Sequence, residues 1–423
     1  MMKRRIAAVA AGTLVAAMAL AGCSPTPAPS TEGDGAGTLT IFAIPNGKAA
    51  LDKLIPEFET ANPGIKVEIT YAEVDSMIST LRTQLSAGTA ADVFSAWPGN
   101  GTPGSMENLV PGGFLMDLSD MAFSKNIPSG FDSVTQVDGK RYVLPMSTGA
   151  IGGIYNEKAV ADAGAKVPTT WDEVLEFCDA AKAAGKVAFA LGAQTLWNTQ
   201  LIDYALTPTL VYGPNPNFDK DQADGKASFA DSAWKDALEK NVEMLNRGCF
   251  QADPLGTPYE TATAMVASGD AFSIVSVSST FAAIAATAPA DATFKMFALP
   301  ATNNASDTWM PAGASGGYGA NAKAKNPVAA KKFMEFLGSD KVMAEYATIS
   351  GQLPSIQSDL FTVPASLQVV ADHVKAGTIH PYIDQLWPNA KVQAAHFDAV
   401  QKVLGGTASV DDVLKEMDAA YKG

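Results

Sequence analysis

Between Leu39 and Ala96 two different periodicities take turns, and this alternation limits the possible folds more than any other feature of the chain. Leu39 to Ala43 alternates around Leu39 and Ile41 and reads as a strand. Leu51, Leu54, Ile55 and Phe58 then recur at i, i+3, i+4 and i+7, the spacing of one apolar helix face. Asn62-Pro63-Gly64 stops that helix. Val67, Ile69 and Tyr71 restore the period of two. Met77, Ile78, Leu81 and Leu85 give a second helix closed by Gly88, and Asp92 to Ala96 is a third strand. Five alternating elements in under sixty residues imply a parallel sheet with right-handed helical crossovers.

The pattern then restarts. Tyr142–Pro145 and Gly152–Tyr155 are strand-like, and Thr170 followed three residues later by Glu173 is the signature of a capping box opening a helix. Gly185 ends that helix and Val187–Leu191 follows as a strand. A third segment runs from a helix near Tyr259–Ser268, through Gly269, into a strand at Ala271–Ser276. The 423 residues exceed one ordinary domain, and 47% apolar against 17% charged residues suffices for a large core. No internal repeat of fixed period is present. The fold class expected is therefore α/β, in more than one lobe.

The amino terminus reads as an address and a tether. Lys3, Arg4 and Arg5 precede an apolar run from Ile6 to Leu20, shorter than the roughly 20 residues of a spanning helix. It ends in Leu20-Ala21-Gly22-Cys23, which resembles the lipobox of bacterial lipoproteins and implies cleavage after residue 22 and acylation of Cys23. Two acyl chains would anchor the protein stably. Residues 23–37 contain no large apolar side chain and are expected to be a disordered tether. Removing residues 1–22 takes away three positive charges and no negative ones, so the net charge moves from −14 to −17. Such a balance excludes a nucleic-acid partner, because no basic surface is available to neutralise phosphates.

In open parallel sheets ligands sit beyond the carboxyl ends of the strands. Here those positions hold Ile44–Lys48, Trp97–Gly101, Gly192–Asn198 and Val277–Phe281. They combine small residues with amides, hydroxyls and aromatic rings, and they are nearly uncharged. Flat rings for stacking and forked amides for hydrogen bonding suit a neutral, hydroxyl-rich ligand.

Several stretches resemble bacterial solute-binding proteins of family 1, the maltose-binding-protein-like receptors of sugar ABC transporters. They include Phe58–Glu68, Gly88–Phe94, Gly113–Ser119, Asp138–Pro145, Ile154–Asn156, Pro168–Glu173, Lys325–Ala330 and Gly351–Pro354, in the expected order along residues 38–423. The resemblance implies a two-lobed periplasmic-binding-protein fold, with parallel-sheet αβ lobes joined by a three-segment hinge. Crossings are expected near Val143–Met146, Met310–Ala314 and Thr348–Pro354. Lobe 1 would comprise residues 38–144 and 313–348, and lobe 2 residues 145–312 and 349–423. It further implies a non-enzymatic, monomeric receptor on the outer face of the cell membrane. A sugar or small oligosaccharide would be its ligand and the membrane subunits of an ABC permease its partner, with no cofactor and no metal.

Carried across position by position, Asn46, Trp97 and Asn100 should face the cleft from lobe 1, and Ser147 and Thr148 should line its floor. Gln194, Trp197 and Asn198 fall where relatives supply a stacking ring and polar fingers. Many relatives carry Gly-x-Trp after the strand at 271–276, whereas this chain has Ser279-Thr280-Phe281, leaving Phe281 as a smaller platform. Trp309 and Trp387 occupy Gly/Pro-rich contexts, Pro381–Pro388 being placed to close one rim, and Gly316 lies in the glycine-rich hinge. These complete the candidate ligand-binding set. Trp171 and Trp234, at helix starts, are expected to pack.

Other readings weigh against this one. Gly313-Ala314-Ser315-Gly316-Gly317 matches the nucleophile-elbow pattern, with acids and His373, His380 and His396 following in hydrolase order. The elbow needs a helix directly after Ser315, which Gly316-Gly317-Tyr318-Gly319 does not favour. Asp219–Gly225 resembles a calcium loop but has Asp224 where the turn glycine belongs. A receptor for a polyamine or another non-sugar solute is the remaining alternative, and the candidate loops offer almost no carboxylates for a cation. Cys178 and Cys249 are available for a disulfide in an exported protein, and the sequence leaves their pairing open.

Overall fold

The structure is a computed structural model that describes residues 35–423. The signal peptide, Cys23 and most of the tether lie outside the described residues. The strands used below are β1 (Gly37–Ala43), β2 (Ile65–Tyr71), β3 (Val93–Ala96), β4 (Leu144–Pro145), β5 (Ser147–Asn156), β6 (Val187–Phe189), β7 (Ala271–Val277), β8 (Phe294–Phe297), β9 (Met310–Ala314), β10 (Gly317–Ala320), β11 (Leu353–Pro354) and β12 (Ile379–His380). The helices are α1 (Lys48–Ala61), α2 (Val74–Ala87), α3 (Trp171–Ala183), α4 (Leu201–Thr207), α5 (Trp234–Arg247), α6 (Tyr259–Ser268), α7 (Thr280–Thr287), α8 (Pro327–Leu337), α9 (Asp340–Ser350), α10 (Ala390–Leu404) and α11 (Val410–Lys422).

Leu39, Ile41 and Ala43 of β1 are buried on one face and Phe42 on the other, so β1 needs cover on both sides. One face packs on α1, α8 and α9 through Leu51, Leu54, Phe58, Phe333 and Met343. The opposite face packs on α2 through Met77, Leu81 and Leu85. β2 alternates buried and exposed residues, as an edge strand does. The resulting five-stranded sheet has the order β2-β1-β3-β10-β4, with β1 parallel to both β2 and β3.

The second lobe is built on the ten-residue strand β5. Its seven-stranded sheet runs β12-β9-β5-β7-β6, with β8 and β11 also paired to β5. α3 opens with the capping box: Thr170 Oγ1 accepts from the Glu173 backbone N–H, and Glu173 Oε2 accepts from that of Thr170. In the core beneath it Phe177 meets Phe272 and Phe297 edge to face and Phe189 at a tilt. Cys178 of α3 is disulfide-bonded to Cys249, just beyond α5.

Neither sheet is purely parallel, contrary to expectation. β10 runs antiparallel to β3 and β4, and β5 is antiparallel to β7, β8, β9 and β11. The reason lies in the hinge. A strand entering directly from the other lobe, without a crossover helix to reverse it, adds to the sheet in the opposite sense. The chain passes between sheets at Met146, at Ser315–Gly316 and at Gly351–Gln352. β9, including Gly313 and Ala314, therefore stays in the second sheet. The three passes are bonded to one another: Ser147 Oγ donates to Gln352 Oε1 (2.5 Å), Ser355 Oγ to the Pro145 carbonyl (2.5 Å), and Ser315 N–H to the Ser147 carbonyl (3.0 Å).

Candidate functional site

A cavity of ≈ 500 Å³ lies between the two sheets at the hinge. Loops after β1, β3 and β7 reach it, as the strand-end rule requires. From the first lobe, Asn46 sits in the turn after β1, and its Nδ2 donates across the cleft to Ser279 Oγ (3.2 Å). Trp97 follows β3, with its indole edge against Gly316 and its ring against Gly104. Ser147 lies at the hinge floor. From the second lobe, Trp197 stands half-buried, its ring tilted against Tyr259 at 4.8 Å. Asn46, Trp97, Ser147, Trp197 and Gly316 thus share one cavity wall.

The other seven candidates do not line it. Asn100 is buried beside the cavity, with its side-chain amide donating to the Pro388 carbonyl. Thr148, on the opposite side of β5 from Ser147, donates its hydroxyl to the Pro354 carbonyl of the neighbouring strand β11. Gln194 is exposed, and Asn198 is 1% exposed and accepts from the Gly192 N–H. Phe281 turns into the apolar core as the first turn of α7. Trp309 packs against Gly213 away from the cleft. Trp387, 1% exposed, is wedged edge to face among Tyr204, Phe229 and His396. Proline and glycine neighbours signal a loop, and a loop can still anchor its bulkiest side chain in the core.

The cavity also holds groups that loop-by-loop reading misses. Tyr382, Asp384 and Gln385 come from the segment after β12, Gln200 and Tyr204 from α4 and the turn before it, and Gln393 from α10. Tyr204 Oη, Tyr382 Oη and Gln385 Oε1 are buried without a hydrogen-bond partner among the described residues. Gln393 Nε2 donates to Gln200 Oε1 (3.2 Å) and to Asp384 Oδ2 (3.1 Å). Burial pushes the Asp384 carboxyl up to about 7, and burial likewise holds both tyrosine hydroxyls well above their ordinary range. With Asp75 and Arg82 of α2 on the same wall, the lining is not nearly uncharged as the loops suggest. These residues come from helices and from the last seventy residues, where no strand end marks them.

Behind Tyr204 lies a second buried polar group. His396 Nε2 is 3.3 Å from Asp203 Oδ2, both side chains fully buried, and the His396 ring stacks on Tyr204. Burial raises the Asp203 carboxyl, and His396 and Asn241 oppose that shift. Ser315 does not meet a histidine: His373 lies 2.8 Å from Thr378, His380 faces Asp219, and His396 faces Asp203. Strand β10, not a helix, follows Ser315. The pairing and the elbow that a serine hydrolase requires are both missing from this site. In the acidic loop Asp219–Gly225, Asp224 is held by Lys220 and Lys226.

A ligand cavity enclosed between two αβ lobes that the chain joins by three bonded passes defines a hinged binding protein. The chain belongs to the bacterial extracellular solute-binding protein family, whose model matches residues 44–344. Among curated relatives, the multiple sugar-binding protein of Streptococcus mutans is 23% identical over 307 residues, 72% of this chain and 71% of that protein. A solute-binding protein solved with raffinose superposes with a TM-score of 0.74 at 21% identity, covering 91% of this chain and 98% of that one. A Bacillus licheniformis sugar transporter protein solved with stachyose gives 0.73 at 21% identity, over 90% and 98%. These solved structures share the fold. No helix among the described residues is long and apolar enough to cross a membrane.

Proposed function

We propose that this protein is a lipid-anchored extracytoplasmic receptor that binds a sugar or small oligosaccharide and delivers it to an ABC importer. The observation that carries the ligand class is the composition of the interlobe cavity. Two indole rings, Trp97 and Trp197, face a set of amides and hydroxyls, several of them buried without a partner. Rings recognise the apolar face of a sugar, and unpaired amide and hydroxyl groups recognise its hydroxyls. A volume of ≈ 500 Å³ falls within the ~300–1,000 Å³ of small-molecule sites. The relatives named above bind sugars, raffinose and stachyose among them, which supports the same reading. Among the described residues Ser315 meets none of the three histidines, which supports a receptor over a serine hydrolase. The division into lobe 1 (38–144 and 313–348) and lobe 2 (145–312 and 349–423) is proposed with the hinge adjusted to Ser315–Gly316.

Export and anchoring rest on the sequence of residues 1–37, with Cys23 as the acylated residue, and the buried Cys178–Cys249 disulfide fits an oxidising compartment. Thermal melting of the body from Thr38 against a carbohydrate panel tests the ligand class. A sugar at 100 times its Kd should stabilise the fold by about 2.7 kcal/mol. No shift with any carbohydrate, beside a clear one with a peptide or a metal, refutes it. In the full chain, Cys23→Ser should move the protein from the membrane fraction to the soluble one.

A further inference from the structure

Asp384 lines the cavity from the second lobe at a point where the first lobe packs directly against its carboxylate. It sits on the single turn Ile383–Leu386, which is pinned on both sides: Ile383 and Trp387 are in the core, and Gln385 Nε2 donates to the Ala314 carbonyl (2.8 Å). Against this turn lies the loop after β3, from the other lobe. Asn100 N–H donates to the Gln385 carbonyl (3.2 Å), and the two flanking glycines make the closest approach. A Cβ on Gly99 would fall 2.2 Å from the Gln385 carbonyl oxygen, and one on Gly101 2.0 Å from Asp384 Oδ2. Only glycine lets the first lobe close this far over the carboxylate.

We infer that Asp384 couples closure to occupancy: the glycine edge Gly99–Gly101 walls in its carboxylate as the lobes meet, and a ligand hydroxyl donated to Asp384 offsets that burial, so that the site closes on ligands carrying that hydroxyl. This rests on reading the cavity as a carbohydrate site. The groups facing Asp384 supply little compensation. The hydrogen-bonding groups beside it are all neutral, an amide from Gln393 of α10, the Tyr204 hydroxyl of α4 and its own backbone N–H, and desolvation outweighs them. Tyr382 of the same segment is a neutral phenol, and Gly101 faces it from the first lobe. His396 and Asp203 pair with each other behind Tyr204, Asp75 and Arg82 line the cavity from α2, and no ion pair among the described residues includes Asp384. A half-buried carboxylate with no cation beside it disfavours the state that walls it in. A hydroxyl donating to a carboxylate makes a charge-assisted hydrogen bond, and its loss leaves a buried acceptor unpaired.

The proton is a second way to relieve the same carboxylate, which makes the idea testable without the natural ligand. Burial raises the Asp384 acid to about 7 in the closed arrangement, whereas an open cleft returns it toward the ordinary carboxylate range. The closed form therefore binds more protons. Closure of the empty protein should become more favourable as pH falls below about 7, and the gain is lost as pH rises through that value. Small-angle scattering and tryptophan fluorescence of the ligand-free body between pH 5 and 8 should show this step in the wild type. Asp384→Asn should stay compact throughout, and Gly101→Ala, whose Cβ collides with the carboxylate, should stay open throughout. The panel's strongest carbohydrate should bind Asp384→Asn roughly 10- to 100-fold more weakly at pH 8. Its deoxy analogue at the contacted position should lose as much on the wild type and little on the variant. A wild-type pH step that survives in Asp384→Asn, or a Gly101→Ala protein that closes normally, overturns the inference. A wild type that shows the pH step yet binds no carbohydrate overturns the sugar reading and leaves the closure device standing.

Discussion

Trp197 and Trp387 are both tryptophans in loops, yet their surroundings give them opposite tasks. Trp197 is half-buried, rests on Tyr259 and presents the rest of its ring to the cavity. Its removal takes away the proposed ligand platform and only the partial packing of a half-buried ring on the core. Trp197→Ala should weaken carbohydrate binding by about 2 kcal/mol or more, roughly 30-fold in Kd, with a much smaller loss of stability than Trp387→Ala causes. Trp387 is 1% exposed and joins four rings in the second lobe, those of Tyr204, Phe229, Trp234 and His396. Trp387→Ala should cost about 3–5 kcal/mol of stability through the cavity it leaves. Calorimetric binding and thermal melting on both variants separate the two roles. An unstable Trp197→Ala or a fully stable Trp387→Ala would reverse the assignment.

At the scale of elements, α3 shows how local chemistry and a long-range link combine. The capping box fixes its start, its apolar face carries Trp171, Val174, Phe177 and Cys178 inward, and the disulfide ties it to the end of α5 at a separation of 71 residues. In the chain-entropy model closing a loop of that length stabilises the fold by about 4 kcal/mol. Cys178→Ala with Cys249→Ala should therefore lower the denaturation midpoint sharply, read by urea melts with and without reductant. Equal stability of the oxidised wild type and the double variant would show that the link contributes nothing.

The same elements mark what sequence reading can reach. The strand and helix periods of residues 39–96, the stops at Gly64 and Gly88, and the box at Thr170 were all legible, because each is set by neighbours within a few residues. Strand direction in the two sheets was not, since it depends on where the chain returns through the hinge. Of the candidate site, the strand-end loops containing Asn46 and Trp97 were legible by rule. Of the segment Pro381–Pro388, it is Tyr382, Asp384 and Gln385 that line the cavity. Trp387 fills the core, and Asp384 beside it faces the cavity. The signal was an acid set among Ile383, Leu386 and Trp387, a placement that costs free energy unless something polar meets it.

Across the whole molecule, the two lobes are joined by the three hinge passes and touch again on the far side of the cavity, where Asn46 Nδ2 donates to Ser279 Oγ. That bond exists only while the cleft is shut, so it weighs the open–closed equilibrium as well as the cavity wall. A change in that equilibrium scales every ligand's apparent affinity by the same factor, because the competent fraction multiplies each intrinsic constant alike. A lost ligand contact instead changes affinities unequally, according to which hydroxyl each ligand presents. Ser279→Ala removes one neutral hydrogen bond, a loss of about 0.5–1.5 kcal/mol, so the expected weakening is roughly 2- to 10-fold. Titrating the variant with every carbohydrate that binds the wild type gives the test. A constant ratio across ligands assigns Ser279 to closure, and ratios that vary with the sugar assign it to the ligand and remove the cross-cleft bond from the account of closing.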